Sequence, residues 1–389
     1  MKSILVFALL SLTMLFSNSQ PVKNAASCNL DVTINHSFSK AAVLDSLLKR
    51  YSMNGLPGAA LAVFTEAEGW WAGAQGYARL ENKTPMENCH LQYIQSVSKT
   101  YLAVAILQLK EKGKIDFEAP ITKYLPLQYS RYIKNAESVT VRMLLNQTSG
   151  VPEYNSHPAF VSQVLMNPEK YFTANDCLKS IAAEELQFAP GSKYKYTNTN
   201  YLLLSLIADV ITGDHAAFIK KNIFDPLHLK NTFYANNHSY LDGLNLPSSY
   251  WDVLNASRPA DFSKLQQVTV ASSKGDDGIV CTPVDAVKFL KGLMDGKLIN
   301  AASMQEMQDF VKDEKGNKRY GMGLFYFDLG GIPAYGHGGG GVGAGCGLIY
   351  IPSHKTYLFM ATNIGVLVDG TLSKKADDLK TEILTTVLQ

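Results

Sequence analysis

Residues 96–112 read SVSKTYLAVAILQLKEK, and this stretch decides the fold more than any other in the chain. The apolar residues that recur there at the spacing of one helical face are Leu102, Ala105, Ile106 and Leu109. This pattern, with Gly113 as a stop, predicts a helix over residues 97–112. Ser96 and Lys99 lie three residues apart at its start, so their side chains share one face at the helix mouth.

The sequence on both sides of this helix predicts an antiparallel sheet built from the two chain ends. Apolar or aromatic strand-like runs cover residues 59–64, 70–77, 321–329, 332–337, 347–351 and 357–363. Helical spacing covers residues 38–51, 141–145, 159–165, 175–183, 201–211, 284–294 and 372–388. We therefore expect an α/β (α+β) fold, with a sheet part at about 38–95 and 275–389 and an inserted, mostly helical part at about 96–274.

The composition sets the broad class of protein. The chain has 389 residues, of which 46% are hydrophobic and 18% charged, and this is enough to bury one large core or two modest ones. The formal net charge is +2 and no block of Lys or Arg occurs, so we do not expect a nucleic-acid partner. Beyond the N-terminus, no apolar run reaches the roughly 18 residues of a membrane span, so none is expected after processing.

The first residues have the pattern of an export signal. Lys2 precedes the apolar run 4–16, and small residues at Ser17 and Ser19 form a cleavage site. We expect a signal peptide at 1–19, a mature chain at 20–389, and a periplasmic or extracellular location. Lipoprotein processing before Cys28 is the alternative, but a polar stretch separates Cys28 from the apolar run, and this favours soluble export.

The cysteines are widely spaced and odd in number. They are Cys28, Cys89, Cys177, Cys281 and Cys346. At least one thiol therefore stays unpaired in the monomer, and we expect most of them to be buried and inert.

Several familiar motifs are absent or lack their context. The chain has no H-E-x-x-H, no Walker A and no G-x-S-x-G sequence. Matches to G-x-G-x-x-G at 336–341 and 338–343 lead into a strand-like run closed by Pro352, whereas a dinucleotide site requires a helix there. Neither a metal nor a nucleotide cofactor is predicted.

A Ser-x-x-Lys pattern occurs four times and has a catalytic context once. The pairs are Ser37/Lys40, Ser46/Lys49, Ser96/Lys99 and Ser192/Lys195. Only Ser96 and Lys99 open a strongly apolar helix. A serine hydroxyl needs a base within hydrogen-bond reach, and a Lys amine can accept the proton only when neutral, a form that burial and a helix N-terminus favour. The alternative is an ordinary ion-paired surface lysine.

Two further patterns could complete such a site. Tyr-x-Asn occurs at Tyr196-Thr-Asn198, on a predicted tight loop before a helix, and at Tyr234-Ala-Asn236. A Tyr phenol can relay a proton and an Asn amide can hold the substrate, although a packing Tyr and a turn Asn fit equally. The third is His337-Gly-Gly, the sole His-x-Gly, on a predicted edge strand that could pair with an extended substrate and donate an N–H to an oxyanion.

In this order and at these separations, Ser-Val-Ser-Lys, Tyr-Thr-Asn and His-Gly-Gly resemble the signature motifs of the penicillin-recognising serine hydrolases. The branch concerned holds class C β-lactamases, D-alanyl-D-alanine carboxypeptidases and related esterases. Further segments that resemble recurring sequences of this family are residues 55–63, 115–126, 141–150, 190–191 and 278–285. The resemblance implies a β-lactamase/transpeptidase-like fold with the site in a cleft between the sheet and the helical part.

The resemblance also assigns roles. It implies that Ser96 is the acylated nucleophile, Lys99 its base and Tyr196 the proton relay. Substrate-binding residues would be Asn198, His337, Gly338 and Gly339, and the oxyanion hole would be the backbone N–H groups of Ser96 and Gly340.

The sequence departs from the family pattern at two positions. His337 stands where β-lactamases usually carry the Lys of Lys-Thr-Gly, so a fixed cation becomes a titratable imidazole that could hold a substrate carboxylate only when protonated. Gln147 stands where relatives often place His before Thr-Ser-Gly.

These observations predict an exported serine hydrolase that works through an acyl-enzyme. It would act on a small molecule or short peptide with an acyl group, as a D-alanyl-D-alanine carboxypeptidase or another D-residue peptidase. The alternatives are a short-chain esterase, then a β-lactamase, and a module that binds penicillin or cell-wall peptides without turnover. The presence of Ser96, Lys99 and Tyr196 together favours an enzyme.

Overall fold

The computed structural model describes residues 30–389, so the predicted signal peptide at 1–19 and Cys28 lie outside the described residues. The helices are α1 (Ala41–Met53), α2 (Ser98–Glu111), α3 (Leu127–Ser130), α4 (Val141–Leu145), α5 (Pro158–Met166), α6 (Ala174–Ser180), α7 (Asn198–Thr212), α8 (His215–Ile219), α9 (Ser263–Ser272), α10 (Pro283–Met294), α11 (Ala301–Met307) and α12 (Thr371–Leu388). The strands are β1 (Gly58–Thr65), β2 (Gly69–Arg79), β3 (Thr84–Pro85), β4 (Gln92–Tyr93), β5 (Thr232–Phe233), β6 (Tyr250–Trp251), β7 (Ala260–Asp261), β8 (Val280–Cys281), β9 (Val311–Lys312), β10 (Lys318–Tyr320), β11 (Phe325–Asp328), β12 (Pro333–Gly340), β13 (Gly345–Ile351) and β14 (Thr356–Thr362).

The predicted antiparallel sheet formed by both chain ends is confirmed. Within residues 30–389 the main sheet has nine strands in the order β3-β2-β1-β14-β13-β12-β11-β10-β9. The two ends of the chain meet where β1 pairs with β14, with Leu61 opposite Met360. Both of these strands are apolar on both faces, as expected for strands covered by helices on each side.

Helices cover both faces of this sheet. On one face, α1 and α12 pack against it through a core that includes Leu44, Leu48, Leu358 and Leu379. On the other face, α10 contacts β1, β13 and β14. The layered arrangement leaves the functional cleft beside β12, where the sheet meets the helical part of the chain.

Helix α2 is confirmed as an interior helix. Every residue from Ser98 to Leu109 is buried, because the segment has no continuous polar face to present to water. Its start is thereby fixed between the sheet and α7, which it contacts along its length.

The remaining sequence expectations concern membranes and thiols. Within residues 30–389 no single helix has the length and apolarity needed to cross a membrane, and one bent pair, α7 with the segment 215–224, meets that requirement only when taken together. The thiols of Cys177, Cys281 and Cys346 are free and buried, as expected, while Cys89 is disulfide-bonded.

Candidate active site

The candidate nucleophile lies on a strained turn that leads into α2. Ser96 belongs to the short 3₁₀ segment Gln95–Val97 and is partly exposed, whereas Lys99 is completely buried one turn further on. Gln95 has φ +50°, a left-handed conformation that costs energy for a residue with a side chain. The strained residue next to Ser96 turns the chain from β4 into the helix, and nothing in its residue type indicated this in the sequence.

The Lys99 amine makes three short contacts, all with uncharged oxygen atoms. Its Nζ lies 2.9 Å from Ser96 Oγ, 2.7 Å from Asn198 Oδ1 and 2.6 Å from the Asp276 carbonyl oxygen. A neutral amine has two N–H donors and one lone pair. If the two shorter contacts take the N–H groups, the lone pair points at the Ser96 hydroxyl, which is the arrangement a general base requires.

Asn198 is held in one orientation by Glu153, a residue that the sequence motifs did not single out. Thr197 caps α7, and Asn198 is the first residue of that helix. Glu153 Oε2 accepts from the Asn198 backbone N–H at 2.7 Å and from its Nδ2 at 3.0 Å. The side-chain oxygen therefore faces Lys99, and the second N–H of Nδ2 remains for a substrate.

Tyr196 stands beside Ser96 and Lys99 with its ring packed on Phe325. The two ring centroids are 5.7 Å apart and nearly parallel, and the Lys99 Nζ lies 5.2 Å from the Tyr196 centroid. Burial raises the pKa of Tyr196, against the opposing effect of the Lys99 charge and of hydrogen bonds with Lys99 and Ser96. The phenol therefore keeps its proton near neutral pH and can donate it.

Two roles are open for His337, a protonated group that binds a substrate carboxylate or a neutral imidazole that hydrogen-bonds within the site, and its surroundings favour the second. The ring is buried, with Nδ1 2.6 Å from the Gly338 carbonyl oxygen and Nε2 3.0 Å from the Tyr320 hydroxyl. Burial, together with the nearby Lys99 charge, lowers the pKa of His337 to about 3. The imidazole is neutral at physiological pH because no carboxylate compensates for its lost hydration.

The expectation of an edge strand is confirmed for residues 337–340 and is wrong only for the first half of the strand. Strand β12 pairs with β13 along residues 335–340, whereas its pairing with β11 covers residues 333–336 only. Beyond Gly336, however, β11 has ended, and residues 337–340 face the segment that carries Ser96. A Cβ on Gly339 would lie 2.6 Å from the Ile94 carbonyl oxygen, so only glycine permits this close approach.

The cleft itself has a volume of about 420 Å³. Its walls bring together the residues that the three motifs predicted, apart from Lys99, which lies behind them: Ser96, Tyr196, Asn198, His337, Gly338, Gly339 and Gly340. Lys380 also lines the cleft, with its Nζ 3.1 Å from Asp377 Oδ1. The serines of the other three Ser-x-x-Lys matches are exposed on the surface and do not line the cleft.

Two carboxyl groups that the motifs did not indicate form another part of the wall. Asp276 and Asp277 line the cleft, and the Tyr154 hydroxyl donates to Asp276 Oδ2 at 2.9 Å. Burial raises the pKa of Asp276 to about 6, opposed by the Lys99 charge, and raises that of Asp277 to about 7, opposed by the Gly278 N–H. Both carboxyl groups therefore titrate close to neutral pH.

The second Tyr-x-Asn match holds the loop that carries Asp276. The Tyr234 hydroxyl accepts from the Gly275 N–H at 3.0 Å and lies 2.6 Å from His215 Nε2. His215 Nδ1 lies 2.7 Å from Asp209 Oδ1. Asp209, His215 and Tyr234 thus form a chain of contacts that ends at Gly275, one residue before the Asp276 carbonyl that binds Lys99.

Gln147 supports the Tyr-Thr-Asn loop. Its Oε1 accepts from the Thr197 N–H at 3.0 Å and from Asn200 Nδ2 at 2.7 Å, and the side chain is fully buried. The residue that departs from the usual family pattern therefore fixes the backbone between Tyr196 and Asn198.

The sequence is similar to a known protein family and to individual proteins of known sequence. The family model described as Beta-lactamase matches residues 44–380. The chain is 26% identical to "Protein flp" of Staphylococcus aureus (strain MRSA252) over 198 residues, covering 50% of this chain and 38% of that protein. It is 27% identical to "Penicillin-binding protein 4*" of Bacillus subtilis (strain 168) over 307 residues, covering 74% of this chain and 64% of that protein.

The fold is similar to that of a solved amidase. The structure of D-amino acid amidase from Ochrobactrum anthropi SV3, complexed with L-phenylalanine amide, superposes with a TM-score of 0.77 at 23% identity, covering 89% of this chain and 98% of that one. At this identity the similarity concerns the fold. The two sequence matches above span only part of the length of those relatives.

Proposed function

The chain belongs to the β-lactamase family, and from this membership we propose that it is a serine hydrolase that cleaves amide bonds of D-residue substrates through an acyl-enzyme on Ser96. The contact between Lys99 Nζ and Ser96 Oγ carries the proposal, because it joins a partly exposed hydroxyl to a buried amine. The fold similarity to a D-amino acid amidase and the sequence similarity to a penicillin-binding protein support the D-residue class.

The reaction follows from the contacts of Ser96. Neutral Lys99 accepts the hydroxyl proton as Ser96 Oγ attacks the substrate carbonyl carbon, and the developing oxyanion binds the backbone N–H groups of Ser96 and Gly340. Tyr196 donates its proton to the leaving nitrogen, and the C–N bond breaks to leave the acyl-enzyme. Lys99 then passes the proton that it took from Ser96 to the Tyr196 phenolate, which restores both groups. A water gives a proton to Lys99 as its oxygen attacks the acyl carbon, and this proton returns to Ser96 Oγ as the C–O bond to the acyl group breaks and the acid leaves.

Because His337 is neutral, amidase or peptidase activity is favoured over the activity of a carboxypeptidase that depends on a charged imidazole. His337 supplies no cation for a terminal carboxylate at neutral pH. A β-lactamase that holds the drug's carboxylate with a cation from the third motif fits this wall less well, because His337 is neutral and Lys380, which also lines the cleft, is paired with Asp377. Ester hydrolysis by the same machinery remains the second candidate, because the nucleophile and its base do not depend on the leaving atom.

The test combines acyl-enzyme trapping with a substrate panel. Intact-mass spectrometry after treatment with a fluorophosphonate or penicillin should show one adduct, on Ser96. D-phenylalanine amide should be hydrolysed faster than its L form. Ser96→Ala should lower kcat/KM by on the order of 10⁴-fold, and Lys99→Arg should do nearly as much damage because a guanidinium does not accept a proton at neutral pH.

Matched controls come from the same sequence pattern elsewhere. Ser192→Ala and Lys195→Arg alter a surface Ser-x-x-Lys pair and should leave turnover unchanged. Labelling of a serine other than Ser96, or retention of more than a tenth of the activity in Lys99→Arg, would contradict the assignment.

We also propose that the protein is exported after cleavage behind Ser19. The apolar run 4–16 after Lys2 and the small residues that follow it support this location. N-terminal sequencing of the mature protein should give Gln20, and a lipid-modified Cys28 would contradict it.

A further inference from the structure

A large apolar cavity adjoins the catalytic cleft. Its volume is about 520 Å³, within the range of small-molecule sites. One wall is α5, with Phe160, Val161, Val164 and Leu165, and the other side is formed by α9 with Leu265, by Trp251 and by the segment 367–368. We call this space the side pocket.

The side pocket opens into the cleft beside the nucleophile. Both cavities are lined by Asn155, Asn198, Ser273 and Leu367. Asn198 contacts Lys99, which in turn contacts Ser96, so the opening lies one side chain away from the reacting atoms. A group bound in the side pocket can therefore be covalently part of a substrate whose carbonyl carbon lies at Ser96 Oγ.

The side pocket lies on the acyl side of the scissile bond. Tyr196, the proton donor to the leaving group, and Phe325, on which its ring packs, line the cleft but not the side pocket. The leaving group must lie beside Tyr196 for the proton to reach it. The other substituent of the carbonyl carbon then points towards Asn198 and the opening of the side pocket.

The chemistry of the walls identifies the occupant. Apolar side chains at the rim are exposed to solvent in the free protein: Leu165 is 65% exposed, and Leu367 and Val368 are 56% exposed. Such a patch next to an active site gains free energy when an apolar group covers it. A methyl group would leave most of the cavity unfilled.

Resting on the proposed function, we infer that the preferred substrates carry an aromatic or branched aliphatic side chain on the acyl part, and that this side chain occupies the side pocket. Alanyl substrates fill it poorly. Discrimination follows from the buried apolar area, which for a ring is large compared with that of a methyl group.

The experiment varies the acyl group at a constant leaving group. The probes are p-nitrophenyl phenylacetate and p-nitrophenyl acetate, each corrected for its spontaneous hydrolysis, together with the p-nitroanilides of D-Phe and D-Ala. We expect kcat/KM to favour the aromatic member of each pair by about tenfold or more. A preference of less than about twofold in the ester pair would overturn the inference.

Two substitutions in α5 make the test specific to the side pocket. Val161 lines the cavity, whereas Met166 lies on the same helix, is 79% exposed and does not line it. Val161→Trp fills the cavity and should abolish the aromatic preference with little change in the acetate rate, while Met166→Trp should change neither. Val161→Asn, which removes apolarity at similar volume, should weaken the preference in the same direction.

The outcomes separate the inference from the proposed function. An aromatic preference that survives both Val161 variants would overturn the inference, as would a preference that follows the leaving group when the acyl group is held constant. Failure to hydrolyse either p-nitroanilide, with the ester preference intact and dependent on Ser96, would contradict the proposed amidase and leave the pocket assignment standing.

Discussion

Lys99 is constrained as a base by what surrounds it rather than by a charged partner. Its Nζ contacts are oxygen atoms of Ser96, Asn198 and the Asp276 backbone. Two of these positions, Asn198 and Asp276, are themselves held by Glu153 and Tyr154. The proton-accepting geometry of one amine thus depends on residues from four separate segments of the chain.

At His337 the structure predicts a pH dependence different from that of a carboxylate-binding histidine. Because the pKa of the buried ring is lowered to about 3, the imidazole does not change charge between pH 5 and 8. Asp276 and Asp277 ionise near pH 6–7 in the cleft wall, so the ratio of kcat/KM for a D-alanyl-D-alanine peptide to that for a neutral ester should change with pH in the same way in the wild type and in His337→Asn. Parallel pH profiles of the two substrates measure it, and a fall between pH 6 and 7 that is present in the wild type and lost in His337→Asn would show that a protonated imidazole binds the carboxylate.

At the scale of elements, the loop 275–278 connects the second Tyr-x-Asn match to the catalytic lysine. Tyr234 holds the Gly275 N–H, and Tyr240 donates to the Gly278 carbonyl oxygen on the other side of Asp276. The loop is tightly packed, since a Cβ on Gly278 would lie 2.6 Å from the Tyr234 ring. Its Asp276 carbonyl is therefore placed by two partly buried tyrosines.

Tyr234→Phe should perturb catalysis through this loop. The substitution leaves the Gly275 N–H and His215 Nε2 without their partner, so the Asp276 carbonyl should shift relative to Lys99. We expect kcat/KM to fall by on the order of tenfold and its pH profile to change. Tyr250→Phe removes a tyrosine hydroxyl that contacts Leu80 and Glu81, and it should leave the pH profile unchanged. If Tyr234→Phe and Tyr250→Phe lower the stability equally and have the same pH profile of kcat/KM, the role of Tyr234 is structural only.

The helices and strands could be predicted from the sequence because their periodicity is strong. Helix α2 lies within one residue of its predicted bounds, and the strands around 59–64 and 357–363 were anticipated from apolar runs alone. The pairing of β12 with β11 could not be predicted, because strand order depends on contacts between distant segments. The Gly-rich end of β12 keeps one unpaired edge because the pairing with β11 ends at Phe325 and Gly336.

The supporting residues of the site left no local signal in the sequence. Asp276 acts on Lys99 through a backbone carbonyl, which any residue type provides. Glu153 and Gln147 act through side chains that look like ordinary polar residues of loops until Asn198 and Thr197 are placed beside them. The motif residues, by contrast, are recognisable because their chemistry demands particular side chains at fixed spacing.

At the scale of the whole molecule, the site lies where three segments that are far apart in the sequence meet. The start of α2 brings Ser96, the start of α7 brings Asn198, and the end of β12 brings Gly339. Titratable groups also lie in the cleft wall, namely His337 on β12 and Asp276 and Asp277 on the loop 275–278. The stability of the molecule should therefore depend on pH near neutrality.

The sign of that dependence differs between the groups. Asp276 and Asp277 have pKa values raised from 3.8 to about 6 and about 7, so the native state holds more protons than the unfolded state between pH 4 and 7. Their contribution to the free energy of unfolding is lost as the pH rises through this window. The pKa of His337 is lowered from 6.5 to about 3, so this group contributes to the free energy of unfolding in the opposite sense. Its contribution is lost as the pH falls below about 6.5.

Asp277→Asn isolates one of these contributions. An Asn oxygen can keep the hydrogen bond from the Gly278 N–H while removing the charge that is costly to bury. The variant should gain stability relative to the wild type as the pH rises from 4 to 8, by on the order of 1–3 kcal/mol at the upper end. Denaturant unfolding at several pH values measures the difference, with Asp328→Asn as an exposed carboxylate control. If the difference in the free energy of unfolding between Asp277→Asn and the wild type does not change with pH, Asp277 ionises as easily in the folded protein as in the unfolded chain. That result would contradict a cleft wall of low dielectric constant beside Lys99.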